Sequence, residues 1–460
     1  MTMTGRRDTR IALPGDQAFE SATQVFNLSA PLRPAAAVTA RSIDDIRAAI
    51  GYADAERLPI RVHTTGHASA NIRPVRDAVL IRTRMHGDVE IDPQRRTARV
   101  PAGTTWGAVA EAAAVHGLAA PHGSSPLVGV VGYLLRGGIS FYGRHVGIAA
   151  NSLRAVELVT ADGELRRVDA ASDPELFWAL RGGGGGFGVV TSVEVGLFPA
   201  TGVITGAAYW PSAHAPALLS AWRRWSRDAP REATTTFRVM NLPDLPEIPS
   251  ALRGGPVVCV DGVVLGATGD AADALRHADG LLAPLRAVAG PVLDTWRPAA
   301  PPAALQTHME PTEPFPIFGD HMLLDELGDE GSETFLRLAA DPSRTELTNL
   351  ELRQLGGALA VPDPAGGVFD HVKADYAYMG GGVPFGSVTP EAIRGRCDVI
   401  RAALAPWNTG RTAPTFVERF EQAQGHLTAE QIDAVDRVRL RIDPRGRFRE
   451  DISAEATALL

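Results

Sequence analysis

The stretch "RVHTTGHASAN", residues 61–71, follows a segment that reads as a helix running into a strand. It holds Arg61, His63 and His67, a glycine directly before the second histidine, and small residues on both sides. Two histidines with so little bulk at a strand end fit three chemistries: a metal site, a phosphate-binding loop or a cofactor anchor. The surrounding sequence has to choose among them.

Upstream, "SIDDIRAAIGYADAERLP" opens on a Ser42 cap, and apolar residues recur at Ile43, Ile46, Ala49 and Ile50 with helical spacing. "IRVH" follows as a strand. Downstream, "DAVLIRTRM", "DVEID" and "TARVPAG" are β-branched and alternate or run apolar, as strands do. "TWGAVAEAAAVHG" reads as a helix closed by Gly117. "NSLRAVELVTADGELRRVD" reads as two strands joined by a turn at Asp162-Gly163. "PELFWALRGGGGGFGVVTSVEVGLF" gives a short helix, a glycine loop and a long strand. The mixture suggests an α+β domain rather than a regular doubly wound sheet.

After about residue 202 the texture changes to proline-punctuated segments such as "MNLPDLPEIPS" and "MEPTEPFPIFG". These mix strands such as "PVVCVDGVVLG" with helices such as "AADALRHADGLLAPL". Two domains are therefore expected: residues 1–202, a second α+β domain at 203–409, and a segment 410–460 returning to the first. That segment holds a helix ending before Pro444. A chain of 460 residues is long for one core, which agrees. No repeat of fixed period interrupts this organisation.

The formal net charge of -8 argues against a general nucleic-acid or anionic-membrane binder, since both need a basic surface. Cys259 and Cys397 have no zinc spacing and make no disulfide framework, so they read as free thiols of a reducing compartment. The N-terminus carries Arg6 and Arg7 without the apolar segment that a secretory or twin-arginine signal needs. No apolar run is long enough to span a bilayer. The expectation is a cytoplasmic protein acting on a small molecule, its oligomeric state left open.

Glycine concentrates in "PHGSSPLVGVVGYLLRGGISFYGRHVG" (121–147) and "RGGGGGFGVV" (181–190). Glycine lets backbone N–H groups approach an anion without a Cβ in the way. Gly183, Gly185 and Gly188 have the spacing of a nicotinamide fingerprint, but a strand follows them where a helix is required. No Gly-Lys-Ser/Thr exists for a P-loop. Each loop alone could be a flexible turn. Both in one half of the chain, with residues 61–71, favour a dinucleotide.

The order of these motifs resembles FAD-linked oxidases of the vanillyl-alcohol oxidase superfamily, with PCMH-type FAD-binding domains, in the berberine-bridge-enzyme-like group. "RVHTTGHA" looks like the pyrophosphate loop of that family, and "ARVPAGTTWGAVAEAAAVHGL" like the strand and helix that follow it. The two glycine segments match its flavin-contacting stretches. "LRQLGGALA" and "DHVKADYAY" look like strands of its substrate domain, and "RIDPRGRF" like its C-terminal signature. The resemblance covers nearly the whole chain. It implies a two-domain PCMH-type fold, α+β, with an antiparallel-sheet substrate domain.

The resemblance also implies FAD, held by Arg61, His63, Thr64, Thr65, Gly66, His67 and Ala68. The second segment would add Gly123, Ser124, Ser125, Val128, Gly129, Val131, Gly132, Tyr133, Gly137 and Gly138, and the third Gly188, Val189 and Val190. His67 would attach covalently to the flavin 8α-methyl, the alternative being a histidine that only hydrogen-bonds near phosphate. His63 reads as a structural neighbour of the loop. No metal is expected, since no other ligand sits at suitable spacing. A second, cysteine-based flavin link of many relatives is excluded, because Ser125 stands at that position.

Relatives often carry a catalytic tyrosine near the C-terminus. The matching stretch is "GRTAPTFVE", where counting back from Asp443-Pro444 puts Ala413 near the tyrosine position and Thr415 near an asparagine. Val146 and Asn151 are further departures. Arg136 replaces the first glycine of a Gly-Gly-Gly run; it either stabilises charge on the reduced flavin or points to solvent. With the usual base missing, Tyr376, Tyr378, His371, Lys373 and Arg353 are candidates, with Tyr142 and Tyr133 weaker. Alternation in "KADYAYM" puts Tyr376 and Tyr378 on one face, opposite Lys373, and that face is expected to meet the flavin. Tyr376, Tyr378 and Arg136 are thus the expected catalytic residues.

Three functions follow. The first is an oxidase passing a hydride to FAD, with O2 as electron acceptor, on a natural-product intermediate or a sugar. The second is a redox-neutral cyclase or isomerase that keeps FAD as scaffold, motivated by the missing tyrosine and the altered flavin segments. The third is a non-catalytic flavin binder.

Overall fold

The computed structural model describes residues 8, 10–246, 248–267, 270–341, 346–422, 424–448 and 452. The segment with Arg6 and Arg7 lies outside the described residues. The helix begun by Ser42 spans Ile43–Glu56, and Ser42 and Asp45 cap it reciprocally. Its stripe of Ile46, Ala49, Ile50 and Ala53 is buried. The stripe shares a core with a three-stranded parallel sheet ordered Ala36–Ala40, Val79–Thr83, Ile60–His63. Ligands of open parallel sheets bind beyond the carboxyl ends of the strands. The loop after His63 is at such an end.

A second sheet has five antiparallel strands, ordered Glu90–Asp92, Thr97–Pro101, Val189–Gly196, Leu153–Val159 and Leu165–Val168. The helices Trp106–Ala114, Val130–Leu135, Pro174–Leu180 and Ala429–Ile442 contribute to one apolar core with it. The last of these helices stops before Pro444. Beyond it, the Arg447 carbonyl accepts a hydrogen bond from Ile60 N–H at 2.7 Å. The C-terminal segment thus ties down the strand that leads into residues 64–71.

The large sheet has eight antiparallel strands, with Val203–Pro211, Val257–Leu265, Ala233–Met240, Asn349–Gln354, Tyr376–Gly382 and Phe318–Leu324 in spatial order. Helices Ala215–Arg227, Ala271–Val288, Gly328–Ala339 and Pro390–Ala403 cover one face in a separate apolar core. The opposite face places Leu323 and Ala377 in the core built around the five-stranded sheet. The α+β reading therefore holds.

One detail of the strand reading does not. "DHVKADYAY" becomes strand only at Tyr376, so His371 and Lys373 precede it. His371 lies 2.7 Å from Asp370, and Lys373 is exposed.

Candidate functional site

The loop after Ile60–His63 forms one wall of a cavity of about 370 Å³. Gly66 takes φ +73°, and a Cβ there would lie 2.6 Å from Val25. Only glycine permits that turn. The N–H groups of Thr65, Gly66, His67 and Ala68 form no backbone hydrogen bond with any described residue. Successive unpaired N–H groups make an anion-binding concavity. His63 donates Nε2–H to the Ala22 carbonyl at 2.8 Å, a structural role.

His67 stacks on Phe26 at 4.0 Å between ring centroids, with the planes 10° apart. Its Nδ1 is 2.8 Å from Thr65 Oγ1, and its Nε2 is buried without a hydrogen-bond partner. Burial pushes the imidazole pKa down to about 4, so the ring is neutral at pH 7. A proton on Nδ1, donated to Thr65, leaves a lone pair on Nε2.

Arg61, His63, Thr64, Thr65, Gly66, His67 and Ala68 all line this cavity. So do Gly123, Ser124, Ser125, Val128, Gly129, Val131, Gly132, Tyr133, Gly188, Val190 and Arg136. Three expected residues do not. Val189 is buried in the core beneath the parallel sheet, because neighbouring strand residues point to opposite faces. Gly137 and Gly138 have φ +87° and +79°, and a Cβ on either would come within 2.3 Å of the Phe369 or Tyr133 ring. Their work is close packing. Arg136 donates to Asn71 Oδ1 at 3.1 Å, which anchors it within the wall.

The family model of an FAD binding domain matches residues 34–169. Over 201 residues the chain is 34% identical to the FAD-dependent monooxygenase sdcF of Emericella nidulans, covering 43% of this chain and 42% of that protein. It is 32% identical over 188 residues to (R)-6-hydroxynicotine oxidase of Paenarthrobacter nicotinovorans, covering 41% of each. The aligned stretch is thus less than half the length of these relatives. The fold likeness extends further. The crystal structure of 6-hydroxy-D-nicotine oxidase from Arthrobacter nicotinovorans superposes with a TM-score of 0.80 at 21% identity, over 95% of this chain and 96% of that one. Carbohydrate oxidase from Microdochium nivale gives 0.78 at 19% identity, over 97% of both chains.

The chain carries an FAD binding domain over residues 34–169 and has the fold of the PCMH-type FAD-binding oxidases.

The residues present fit FAD. A Cβ built on Gly132 meets nothing within 4 Å, so glycine there leaves cavity space open. The unpaired amides of residues 65–68 suit a pyrophosphate, and the orphaned Nε2 of His67 suits a covalent link. Ser125 is buried, and its Oγ accepts from Leu127 N–H at 3.3 Å. Among the described residues no His, Cys, Asp and Glu group could hold a metal ion. Nor is any helix long and apolar enough to cross a membrane.

The opposite side of the PCMH-type cavity corrects the expected catalytic pair. Tyr376 and Tyr378 do share a face, but it is the one turned to the covering helices. Tyr376 is 2% exposed, packs on Trp222 and donates to Glu326 Oε2 at 2.8 Å. Tyr378 is fully buried, and its hydroxyl has no partner. The cavity face of that strand carries Met379 instead. Tyr142 is also buried and donates to the Pro301 carbonyl at 3.3 Å. In the C-terminal stretch, Pro414–Glu418 line the cavity, whereas Ala413 is buried in the core.

Residues that sequence reasoning missed complete this side. Glu310, Phe315, Phe416 and Glu418 all line the cavity, and Ser124 Oγ donates to Glu310 Oε1 at 2.7 Å. Behind them, the cavity-side face of the large sheet carries a buried charge network. Arg238 pairs with Asp261 at 2.5 Å, and His308 bridges Asp261 at 2.9 Å and Glu351 at 3.0 Å. Arg353 Nε donates to Glu351 at 2.8 Å. Burial and Arg238 push the His308 pKa down, but the two carboxylates outweigh them and hold it up at about 9. Arg353 is 1% exposed and lies over the Phe141 and Phe416 rings. Its guanidinium thus packs on a cavity-lining ring, Phe416, and its two Nη atoms are buried without a hydrogen-bond partner.

Proposed function

We propose that this protein is an FAD-dependent oxidase. It takes a hydride from a small-molecule donor, carries FAD on His67 and passes the electrons to O2. The observation that carries the reading is His67: a neutral imidazole with an orphaned, buried Nε2, beside a loop of unpaired amides. When bound, FAD supplies a two-electron acceptor for the hydride. The amides of residues 65–68 bind its phosphates, Gly132 leaves room for it, and Phe26 holds the His67 ring in place. With Ser125 at the second attachment position, His67 makes the single link.

Met379, Phe315 and Phe416 give the donor side an apolar surface, and Glu310 and Glu418 add a few polar groups. That combination suits a small organic molecule such as a natural-product intermediate. Two buried, unbridged cysteines agree with a cytoplasmic protein. A redox-neutral cyclase or isomerase is the second reading, motivated by the missing tyrosine and the altered flavin segments. Glu310 and Glu418, which line the cavity, offer a base in place of the tyrosine and so support the oxidase reading.

The test is absorbance of the purified protein before and after acid precipitation, followed by an oxygen-electrode screen of alcohols, amines and sugars. Colour in the washed pellet and donor-dependent O2 uptake are expected. A product of the same mass as its substrate would overturn the oxidase reading.

A further inference from the structure

Two carboxylates, Glu310 and Glu418, line the cavity, and they are held differently. Glu310 is fixed by the Ser124 hydroxyl at 2.7 Å. Glu418 has no hydrogen bond or ion pair with any described residue. It lines the flavin-sized cavity and also a neighbouring cavity of about 350 Å³, which shares Leu32, Ser69 and Ile72. Glu418 is half-buried, so its carboxylate stays open to a ligand at the junction of the two cavities. A second polar group points the same way: Tyr133 lines the cavity, is 7% exposed, and its hydroxyl has no partner.

We propose that Glu418 is the proton acceptor of this site, with Glu310 as its partner carboxylate. This rests on the oxidase reading above. The donor carries H–C–X–H, where X is oxygen or nitrogen. The carboxylate of Glu418 takes the proton from X. The C–H bond breaks with its electron pair, and the hydride passes to the bound FAD. A C=X double bond forms, the donor loses two electrons and two hydrogens, and the flavin gains the electrons. The donor class is therefore an alcohol or an amine whose O–H or N–H can reach Glu418.

The surroundings tune the group for this work. Burial, with the charge of Glu310 added, pushes the Glu418 pKa up to about 8. A base works best when its pKa lies near the operating pH. From the flavin side, Arg136 and His67 also face the cavity, the first held by Asn71 and the second neutral. The neighbouring cavity is lined by Arg33, Arg76, Arg394 and Glu421, with Arg394 over the Phe318 ring. The adjacent Arg419 is committed to Asp398 at 2.9 Å and Asp320 at 3.3 Å.

The experiment titrates the flavin-loaded protein through pH 8 by infrared difference spectroscopy, following the band of a protonated carboxyl group. One carboxyl is expected to ionise near pH 8, to vanish in Glu418→Gln and to ionise at lower pH in Glu310→Gln. With the donor found by the oxygen screen, Glu418→Gln slows anaerobic flavin bleaching by about 100-fold or more, the scale of a lost base. The rate also stops rising with pH, and Glu418→Asp restores part of it. A yellow protein with no carboxyl dependent on Glu418 in this range overturns the proposal. So does a Glu418→Gln protein that bleaches at the native rate. A protein that binds no flavin fails the oxidase reading instead, and the two failures are told apart by colour.

Discussion

Replacing Tyr378 by phenylalanine should make the protein more stable and leave its chemistry intact. The hydroxyl is fully buried and has no partner, and it presses against the backbone at Gly380, where a Cβ would lie 2.2 Å away. Burying a hydroxyl without a hydrogen bond costs roughly 1–3 kcal/mol. Phenylalanine keeps the ring and its apolar contacts, so Tyr378→Phe should recover about 1 kcal/mol or more. Near the melting temperature that raises Tm by about 2–4 °C per kcal/mol if the sheet and its helices unfold as one unit of about 200 residues. Tyr376→Phe provides the contrast of opposite sign. It removes a hydrogen bond to Glu326 and should cost about 0.5–1.5 kcal/mol, while Glu326 keeps its ion pair with Arg223. Thermal melts of both flavin-loaded variants, together with donor-driven bleaching, make the comparison. If Tyr378→Phe melts lower, or if either variant folds normally but bleaches far more slowly, the assignment of these tyrosines to the helix-covered face is wrong.

Three further outcomes are expected. His67→Ala should release all colour on acid precipitation, and adding Ser125→Cys to it should return colour to the pellet through a thioether; a coloured His67→Ala pellet would place the link elsewhere. A Cβ at Gly132 meets nothing within 4 Å, so in Gly132→Ala the flavin-free protein should melt within about 0.5 kcal/mol of the parent while the flavin content of the purified protein falls. The raised pKa of His308, about 9 against 6.5, means that its contribution to stability is complete below pH 6.5 and is lost as pH rises through 9. His308→Gln should flatten that part of the denaturation-versus-pH curve and destabilise by about 3–5 kcal/mol, the scale for breaking a buried ion pair. An unchanged slope would show that the network stays charged without it.

The flavin side of the cavity was legible because backbone builds it. Gly66 before His67 stands where a Cβ would run into Val25, Gly129 where one would crowd Thr64, and Gly132 where one would take cavity space, and glycine announces all three in a sequence. Where glycines serve packing, as Gly137 and Gly138 do, the same letters mislead. The donor side was harder. Alternation gives the period of a strand but not its phase, and the strand Tyr376–Gly382 is buried on both faces, so hydrophobicity does not say which face meets the cavity. A better signal lay one strand away. "ELR" puts Glu351 and Arg353 at i and i+2, on either side of Leu352, in a buried strand, and "FRV" puts Arg238 into its neighbour. Charges at alternate positions of buried strands mark the face that turns toward a polar site. The register agrees, since Glu351 pairs with Met379 and Arg353 with Ala377, while Tyr376 and Tyr378 pair with Gln354 and Leu352.

The missing tyrosine and the presence of Glu418 are two aspects of one structural fact. Residues 414–418 belong to no helix or strand, yet their backbone is fixed at both ends. The Ala413 N–H donates to His321 Nε2 at 2.9 Å, and the Val417 carbonyl accepts from Asn71 Nδ2 at 2.7 Å. Anchored backbone with side chains pointing into a cavity lets one residue change without disturbing a sheet register or a helix face. A base can therefore be lost at one position and supplied at a neighbouring one at small cost to the fold. The network Arg238–Asp261–His308–Glu351–Arg353 has no such freedom, because removing any member strands a buried charge. Differences in donor specificity within this fold should then concentrate in the coil around Glu310 and in residues 414–418, with the charged face of the sheet as the fixed floor beneath them.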